Sequence, residues 1–305
     1  MRIIFMGTPG FSVNILNALC DEHEVVLVVT QPDRLVGRKQ ILTPSPVKEL
    51  ALSKEIKIFQ PNNIKNEYDV LLNTNADLIV TAAYGQFVPM NVINSTKYGA
   101  INVHASLLPK YRGGSPIHRA IQNGDLETGI SVIRMVKKMD AGNILHKVEV
   151  PIDTTDNVST LTEKLSFVGS DAILDAIDLI ESGDFIEEVQ DESLVTIAPN
   201  ITREEEKINW NSQAIDIYNH IRAFDAWPGT YTLYENNKIK IFPVRIIGGK
   251  AKPGEIVEIT KEGIKVGTKE GLILITDLQV PGKKKMNIKD FINGNKLLRE
   301  GGYFN

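Results

Sequence analysis

The chain has 305 residues with 42% hydrophobic and 24% charged residues and a net charge of −4, which indicates two globular domains and argues against a disordered, fibrous or general nucleic-acid-binding protein. Its single cysteine, Cys20, excludes an intramolecular disulfide and a cysteine-cluster metal site. No apolar run approaches the ~20 residues of a membrane span, and the N-terminal run is broken too early for a secretory signal, so we expect a cytoplasmic protein without membrane association.

The first half of the chain alternates short apolar runs with helical segments. The runs are rich in β-branched residues and cover Ile3–Met6, Val25–Thr30, Leu78–Ala83 and Ala100–Val103. Unbroken apolar runs of this kind are typical of parallel strands buried on both faces. The pattern predicts a Rossmann-like α/β domain with a doubly wound, mostly parallel sheet. The turn at 7–10 lacks the G-x-G-x-x-G spacing and is interpreted as a tight strand-to-helix turn, not a nicotinamide site.

A long connection, residues 31–46, follows the second predicted strand and carries the basic residues Arg34, Arg38 and Lys39. Connections in α/β units usually need only a few residues, and long loops at the carboxyl end of parallel strands tend to be functional. The alternative is a mobile surface loop without a partner.

Polar residues cluster at the end of the strand at 100–104. Asn102 and His104 are two residues apart, so their side chains share one face at the carboxyl edge of the sheet. An amide and an imidazole so placed can donate hydrogen bonds to one developing oxyanion, although two polar residues at a strand end are more often structural. Asp140 lies on a loop after the strand-like segment Gly129–Met135 and could reach this edge, or serve only as a turn former.

A predicted helix at Val158–Glu181 closes the first domain, for which we set the bounds 1–189, with a linker at 190–207 and a C-terminal domain at 208–305. Close turns in the last part separate short predicted strands at Tyr231–Tyr234, Lys238–Phe242, Glu255–Ile259, Ile264–Gly267 and Leu272–Leu278. They indicate a small β-barrel of the oligonucleotide-binding (OB-like) type. From Lys207 onward there are sixteen Lys and Arg against ten Asp and Glu, which suggests either a polyanion-binding module or a solvated lysine-rich face.

Several motifs in order resemble the folate-dependent formyltransferase family, and in particular its members that act on methionyl-tRNA. The core of the resemblance is Asn-Val-His-Ala-Ser-Leu-Leu-Pro at 102–109, Arg-Gly-Gly-Ser-Pro-Ile at 112–117 and Met-Asp-Ala-Gly at 139–142. Gly-Thr-Pro at 7–9, Gln-Pro-Asp-Arg at 31–34, Thr-Pro-Ser-Pro-Val-Lys at 43–48, Ala-Tyr-Gly at 83–85 and Pro-Gly-Lys-Lys-Lys-Met at 281–286 extend it over essentially the whole chain.

The resemblance implies a role for each matching position. Asn102, His104 and Asp140 correspond to the family's catalytic trio. The folate-contacting positions are Ser106, Leu107, Leu108 and Pro109, bordered by Tyr84, Gly85 and Gln86. Arg38 corresponds to an arginine that meets the tRNA acceptor end, and with Lys39, Lys283, Lys284 and Lys285 it completes the tRNA-binding set.

The implied activity is transfer of the formyl group of 10-formyltetrahydrofolate to the amino group of methionyl initiator tRNA, by a monomer that needs no metal. Two alternatives share the trio: a formyltransferase acting on an amino sugar-nucleotide and a formyl-folate hydrolase. Neither accounts for the basic C-terminal part. A non-catalytic RNA-binding protein, the third alternative, leaves the trio unexplained.

Overall fold

The structure of the protein is a computed structural model, in which residues 1–37, 39–183, 186–225, 227–294 and 297–305 are placed. Two compact units emerge. The first comprises residues 1–116, 127–151 and 162–198, and the second comprises residues 117–126, 152–161 and 199–305. The division into domains at 189 and 208 stays a prediction.

The first nine strands form the sheet of the first unit and the two-stranded hairpin beside it. They are β1 (Arg2–Gly7), β2 (Glu24–Val29), β3 (Arg34–Val36), β4 (Ile41–Thr43), β5 (Ile58–Phe59), β6 (Leu78–Ala82), β7 (Ala100–His104), β8 (Glu127–Arg134) and β9 (Ile144–Pro151). The helices of the first 182 residues are α1 (Phe11–Glu22), α2 (Pro46–Ser53), α3 (Asp69–Leu72), α4 (Met90–Ile93), α5 (Pro116–Gln122) and α6 (Val158–Ser182). Apart from Pro116, α5 belongs to the second unit, as do the first four residues of α6.

The large sheet has seven strands in the order β5-β2-β1-β6-β7-β8-β9. The pairs from β5 to β7 are parallel, whereas β8 and β9 are antiparallel additions at the edge. Residues Ile3 to Met6 of the interior strand β1 are completely buried, which explains their uninterrupted apolar sequence. The predicted doubly wound, mostly parallel α/β fold is confirmed.

The second unit contains two four-stranded antiparallel sheets, in the orders β10-β11-β16-β17 and β12-β15-β14-β13. Its strands are β10 (Thr230–Tyr234), β11 (Asn237–Ile241), β12 (Val244–Ile247), β13 (Ile256–Ile259), β14 (Ile264–Gly267), β15 (Leu272–Ile275), β16 (Asp277–Gln279) and β17 (Met286–Asn287). Helices α7 (Ala214–Phe224) and α8 (Ile288–Gly294) accompany them. One apolar cluster joins α7 to residues of both sheets. This arrangement is consistent with the predicted barrel-like domain.

Some elements differ from the sequence-based expectations. The loop at 31–46 contains the hairpin β3–β4, and the segment after residue 143 forms the long strand β9. The run predicted as one strand at Leu272–Leu278 is divided into β15 and β16, which belong to different sheets. Within the described ranges, no helix is both long and apolar enough to cross a bilayer.

Candidate active site

Strand β7 carries two of the predicted catalytic residues. It pairs in parallel with β6, where Asn102 lies opposite Thr81, and antiparallel with β8, where His104 lies opposite Ser131. Because β7 ends at His104, both polar side chains lie at the carboxyl end of a parallel strand. This is the edge at which open α/β sheets bind ligands.

The Asn102 side chain has a defined orientation. The Thr81 hydroxyl donates to Asn102 Oδ1 at 2.7 Å, and Thr81 itself is buried. Since Oδ1 accepts this bond, the amide Nδ2 of Asn102 remains available as a donor. Asn102 is only half-buried, so its N–H groups can reach a ligand.

The His104 ring is buried, and a different group contacts each of its nitrogens. Nε2 lies 2.9 Å from the carbonyl oxygen of Tyr111. A carbonyl oxygen only accepts, so Nε2 carries a proton. Nδ1 faces Asp140 Oδ1 at 3.7 Å, which is an ion-pair distance when the ring is protonated and is too long for a direct hydrogen bond.

Asp140 lies in a tight turn that fixes its carboxylate. Its φ of 50° is in the left-handed region, which aspartate tolerates better than most residues. The backbone N–H of Gly113 donates to Asp140 Oδ2 at 2.9 Å. Two residues later, a Cβ on Gly142 would collide with the carbonyl oxygen of Arg134, so this position requires glycine. The carboxylate is therefore anchored through one oxygen and faces the imidazole through the other.

Residues 106–109, predicted to contact folate, lie in the loop that follows β7. Ser106 and Leu108 are buried, and the Ser106 hydroxyl donates to the Lys110 carbonyl oxygen at 2.7 Å. The Ser131 hydroxyl accepts from Leu108 N and donates to the Ser106 carbonyl oxygen. Only Leu107 and Pro109 of the four are partly exposed. The contact of these four residues with folate stays a prediction.

The second predicted folate segment, residues 84–86, follows β6. The Tyr84 ring is buried in the core, where burial raises the pKa of its phenol, and its backbone carbonyl accepts from Thr8 and Gln31. Gly85 is exposed with a φ of 89°. Gln86 Oε1 accepts from Ile64 N at 2.9 Å. Residues 84–86 therefore expose the backbone at Gly85, whereas the Tyr84 ring points into the core.

The predicted tRNA-binding residues fall into two groups. Arg38 lies outside the described residues, and its neighbour Lys39 is exposed in the hairpin turn. Lys283, Lys284 and Lys285 are all exposed, and the ammonium of Lys285 lies 4.4 Å from the centre of the Phe242 ring. The tRNA contacts of these residues stay predictions.

Sequence reasoning missed Gln190 beside the site, and it gave no role to Arg112, although Arg112 begins the motif at 112–117. Gln190 donates to the carbonyl oxygens of Asp140 and Gly142 and accepts from the Arg112 guanidinium. Gln190 falls in the segment predicted as a charged linker. No periodicity marks it, so only the three-dimensional structure could reveal it.

His118 lies outside this site, in the second unit. Its ring packs edge-on against Phe224 with centres 6.2 Å apart, and burial lowers its pKa. These contacts make His118 a packing residue. Across the described ranges, no group of three His, Cys, Asp or Glu side chains could hold a metal ion.

Comparison with known sequences gives matches across both units. The profile described as "Formyl transferase" matches residues 1–177, and "Formyl transferase, C-terminal domain" matches residues 200–296. A methionyl-tRNA formyltransferase of Staphylococcus epidermidis is 48% identical over 297 residues, 96% of each chain. Proteins of the same name from Streptococcus mutans and Pediococcus pentosaceus are 45% and 50% identical, covering 99% and 96% of this chain and 99% and 93% of their own.

Solved structures show the same fold at lower identity. The sugar 3N-formyl transferase WlaRD superimposes with a TM-score of 0.68 at 22% identity, covering 93% of this chain and 99% of its own. HypX from Aquifex aeolicus in complex with tetrahydrofolic acid has a TM-score of 0.63 at 18% identity, covering 96% of this chain and 47% of its own.

Proposed function

The chain belongs to the methionyl-tRNA formyltransferases of the formyl transferase family, and we propose that it formylates the amino group of methionyl initiator tRNA. The formyl donor is a reduced folate, 10-formyltetrahydrofolate, and the product is N-formylmethionyl-tRNA for translation initiation. The choice of methionyl-tRNA as acceptor rests on the 45–50% identity to methionyl-tRNA formyltransferases across both units.

In this proposal Asn102 stabilises the charge that develops when the methionine amine attacks the formyl carbon. The formyl oxygen becomes an oxyanion, and Asn102 Nδ2, which the Thr81 contact leaves free, donates a hydrogen bond to it. Such a donor acts because it is oriented before the charge appears, and one donor typically contributes ~3 kcal/mol to the transition state.

His104 and Asp140 handle the proton in the same step. The protonated Nδ1 of His104 donates to the oxyanion and is stabilised by the Asp140 carboxylate 3.7 Å away. Asp140 receives, directly or through water, the proton that the attacking amine loses. As the bond between N10 of the folate and the formyl carbon breaks, Asp140 passes this proton, directly or through water, to N10, so charge and protons balance.

The tRNA is held by exposed basic residues, Lys39 in the hairpin and Lys283–Lys285 in the second unit. Arg38 belongs to the same tRNA-binding set and is assigned to the acceptor end of the tRNA. Lysine contacts to phosphate supply affinity through charge and release of counterions.

A competition among acceptors tests the proposal. The protein is incubated with 10-formyltetrahydrofolate and, separately, charged initiator tRNA, free methionine or an amino sugar-nucleotide. We expect formylation of the charged tRNA alone. Formylation of the sugar-nucleotide, or release of formate without an acceptor, would identify one of the two alternative enzymes instead.

The roles of the trio are tested by Asn102→Ala and Asp140→Ala. Loss of the Asn102 donor should lower kcat on the order of 100-fold while the fold stays intact. Turnover near that of the wild type in either folded variant would contradict the assigned role.

A further inference from the structure

The segment 187–198, which we call the strap, crosses the loops that carry the candidate active site. Backbone bonds of 2.9 Å in both directions join Glu188 to Ile144 at one end of the strap. At the other end, Arg112 N donates to the Thr196 carbonyl oxygen at 2.9 Å, and Ala198 N donates to the Arg112 carbonyl oxygen at 2.8 Å. The strap therefore bridges the turn after residue 140 and the loop at 111–113.

Gln190 lies within the strap, and both the nitrogen and the oxygen of its side-chain amide form hydrogen bonds. Its side chain is buried, and Nε2 donates to the carbonyl oxygens of Asp140 at 2.9 Å and Gly142 at 2.7 Å. Its Oε1 accepts from Arg112 Nε at 3.0 Å and Nη2 at 2.8 Å. A primary amide has two N–H donors, and both are directed at the turn that holds Asp140.

These bonds counter a conformational cost at Asp140. A left-handed non-glycine residue is less stable than its extended or helical alternatives and persists where its surroundings hold it. Gln190 binds the carbonyl oxygens of Asp140 and Gly142. These two bonds fix the backbone of the turn and so the direction of the Asp140 carboxylate. Arg112 in turn fixes the Gln190 amide, because a guanidinium can only donate and thus requires Oε1 on its side.

We propose that Gln190, oriented by Arg112, is a positioning residue that holds the Asp140 carboxylate between Gly113 N–H and His104 during formyl transfer. The inference rests on the proposed function for the role of Asp140, but the positioning itself can be measured without activity. The alternative is that the hydrogen bonds of Gln190 only hold the strap in place and do not position the Asp140 carboxylate.

The first measurement is hydrogen exchange of the Gly113 amide, which donates to Asp140 Oδ2. In Gln190→Met, which keeps side-chain length but removes the amide, we expect Gly113 exchange to rise toward its rate in Asp140→Ala. The matched control is Glu187→Ala. Glu187 is also on the strap, but it binds Arg134 and Asn143 side chains and not the turn carbonyls. Its variant should leave Gly113 exchange at the wild-type rate.

The second measurement separates positioning from general destabilisation by kinetics. We expect Gln190→Met to lower kcat on the order of 100-fold with unchanged KM for tRNA, since small misplacements of catalytic groups have effects of this size. In the Asp140→Ala background the same substitution should cause no further decrease, because residues acting through one group are not additive.

The inference would be overturned if Gln190→Met left the Gly113 exchange rate at its wild-type value, or if Glu187→Ala accelerated that exchange equally. It would also be overturned if the decreases in kcat from Gln190→Met and Asp140→Ala were fully additive. If Gln190→Met does not fold, Gln190→Glu takes its place, since its carboxylate still accepts from Arg112 but cannot donate to the turn. If Asp140→Ala turns over at the wild-type rate, the proposed function of Asp140 is wrong, and the exchange result alone decides the positioning.

Discussion

The orientation of the Asn102 amide depends on one buried hydroxyl. Thr81 donates to Asn102 Oδ1 at 2.7 Å, and without that donor the amide could rotate by 180° and present its oxygen to the substrate. An oxygen beside a developing oxyanion is repulsive, so the hydroxyl determines whether Asn102 assists or opposes the reaction.

Thr81→Val, which keeps the shape of the side chain, should therefore lower kcat. Without the fixed orientation the barrier is expected to rise by about 1 kcal/mol, the typical net value of one hydrogen bond. Steady-state kinetics with charged tRNA check this. Thr128→Val is the matched control, because Thr128 is also buried in the sheet while its hydroxyl has no partner among the described residues. It should leave kcat unchanged, and an equal decrease in both variants would contradict the explanation.

At the scale of elements, the hairpin β3–β4 is anchored at its base while its tip stays exposed. Lys48 Nζ and the Asp33 carboxylate form an ion pair of 2.7 Å, and Gln60 donates to the same carboxylate at 2.8 Å. The Gln60 and Lys48 bonds hold the pKa of Asp33 below its usual value. Leu35 and Leu42, by contrast, are 59% and 62% exposed. The base thus sets the direction of the hairpin.

Lys48→Met should raise the KM for tRNA several-fold without changing the KM for the folate donor, if the hairpin contacts tRNA as proposed. The free energy of unfolding should change little, because the pair is partly exposed to solvent. Lys54→Met is the control: Lys54 pairs with Asp21 at 3.1 Å and lies at the other end of α2. Both KM values should stay at the wild-type level in that variant.

Helix α7 contains a partly buried histidine that makes stability depend on pH. The His220 ring stacks on Phe224 with centres 4.6 Å apart, and burial lowers its pKa to about 4 from 6.5. Between these two pH values the unfolded chain binds a proton at this site and the folded chain does not. The free energy of unfolding therefore falls as the pH falls from 6.5 towards 4.

His220→Phe keeps the aromatic stack and removes the titration. We expect about 2 kcal/mol of the decrease in stability between pH 7.5 and pH 5 to disappear in this variant. Urea unfolding followed by circular dichroism at pH 7.5, 6 and 5 measures the difference. Parallel stability profiles of variant and wild type over this range would show that His220 is not responsible.

The elements best predicted from sequence were those with an unbroken apolar run or a long helical pattern. The buried runs of β1, β2, β6 and β7 and the helix α6 were predicted close to their observed bounds, as was the strand position of Asn102 and His104. The hairpin at 34–43 was missed because its apolar residues face solvent, so no buried face marks it. Gln190 was missed because its partners are backbone carbonyls of a distant turn, and sequence spacing does not encode such contacts.

For the whole molecule, charge is divided unevenly along the chain. The last 99 residues carry sixteen Lys and Arg against ten Asp and Glu, although the entire chain has a net charge of −4. A polyanion should therefore bind preferentially to the basic part, and its affinity should fall with salt.

Replacing Lys283, Lys284 and Lys285 with Gln should weaken tRNA binding and flatten its salt dependence, by ~1 in the log–log slope for each phosphate that the variant no longer neutralises. Binding of charged tRNA between about 50 and 200 mM salt, the range in which such complexes weaken steeply, measures the slope. A variant with Lys250, Lys252 and Lys261 replaced by Gln has the same net charge and is the control. If both triple variants change the slope equally, net charge and not the 283–285 cluster is responsible.

The strap also determines where the chain can be truncated to obtain a fragment with an intact site. A fragment ending at residue 177, where the N-terminal family match stops, would contain Asn102, His104 and Asp140 but not Gln190 or Thr196. Such a truncated protein would carry every reacting side chain and still lack the hydrogen bonds that shape their surroundings. The shortest fragment worth expressing for folate binding or crystallisation extends through Ala198, whose N–H makes the last bond to Arg112.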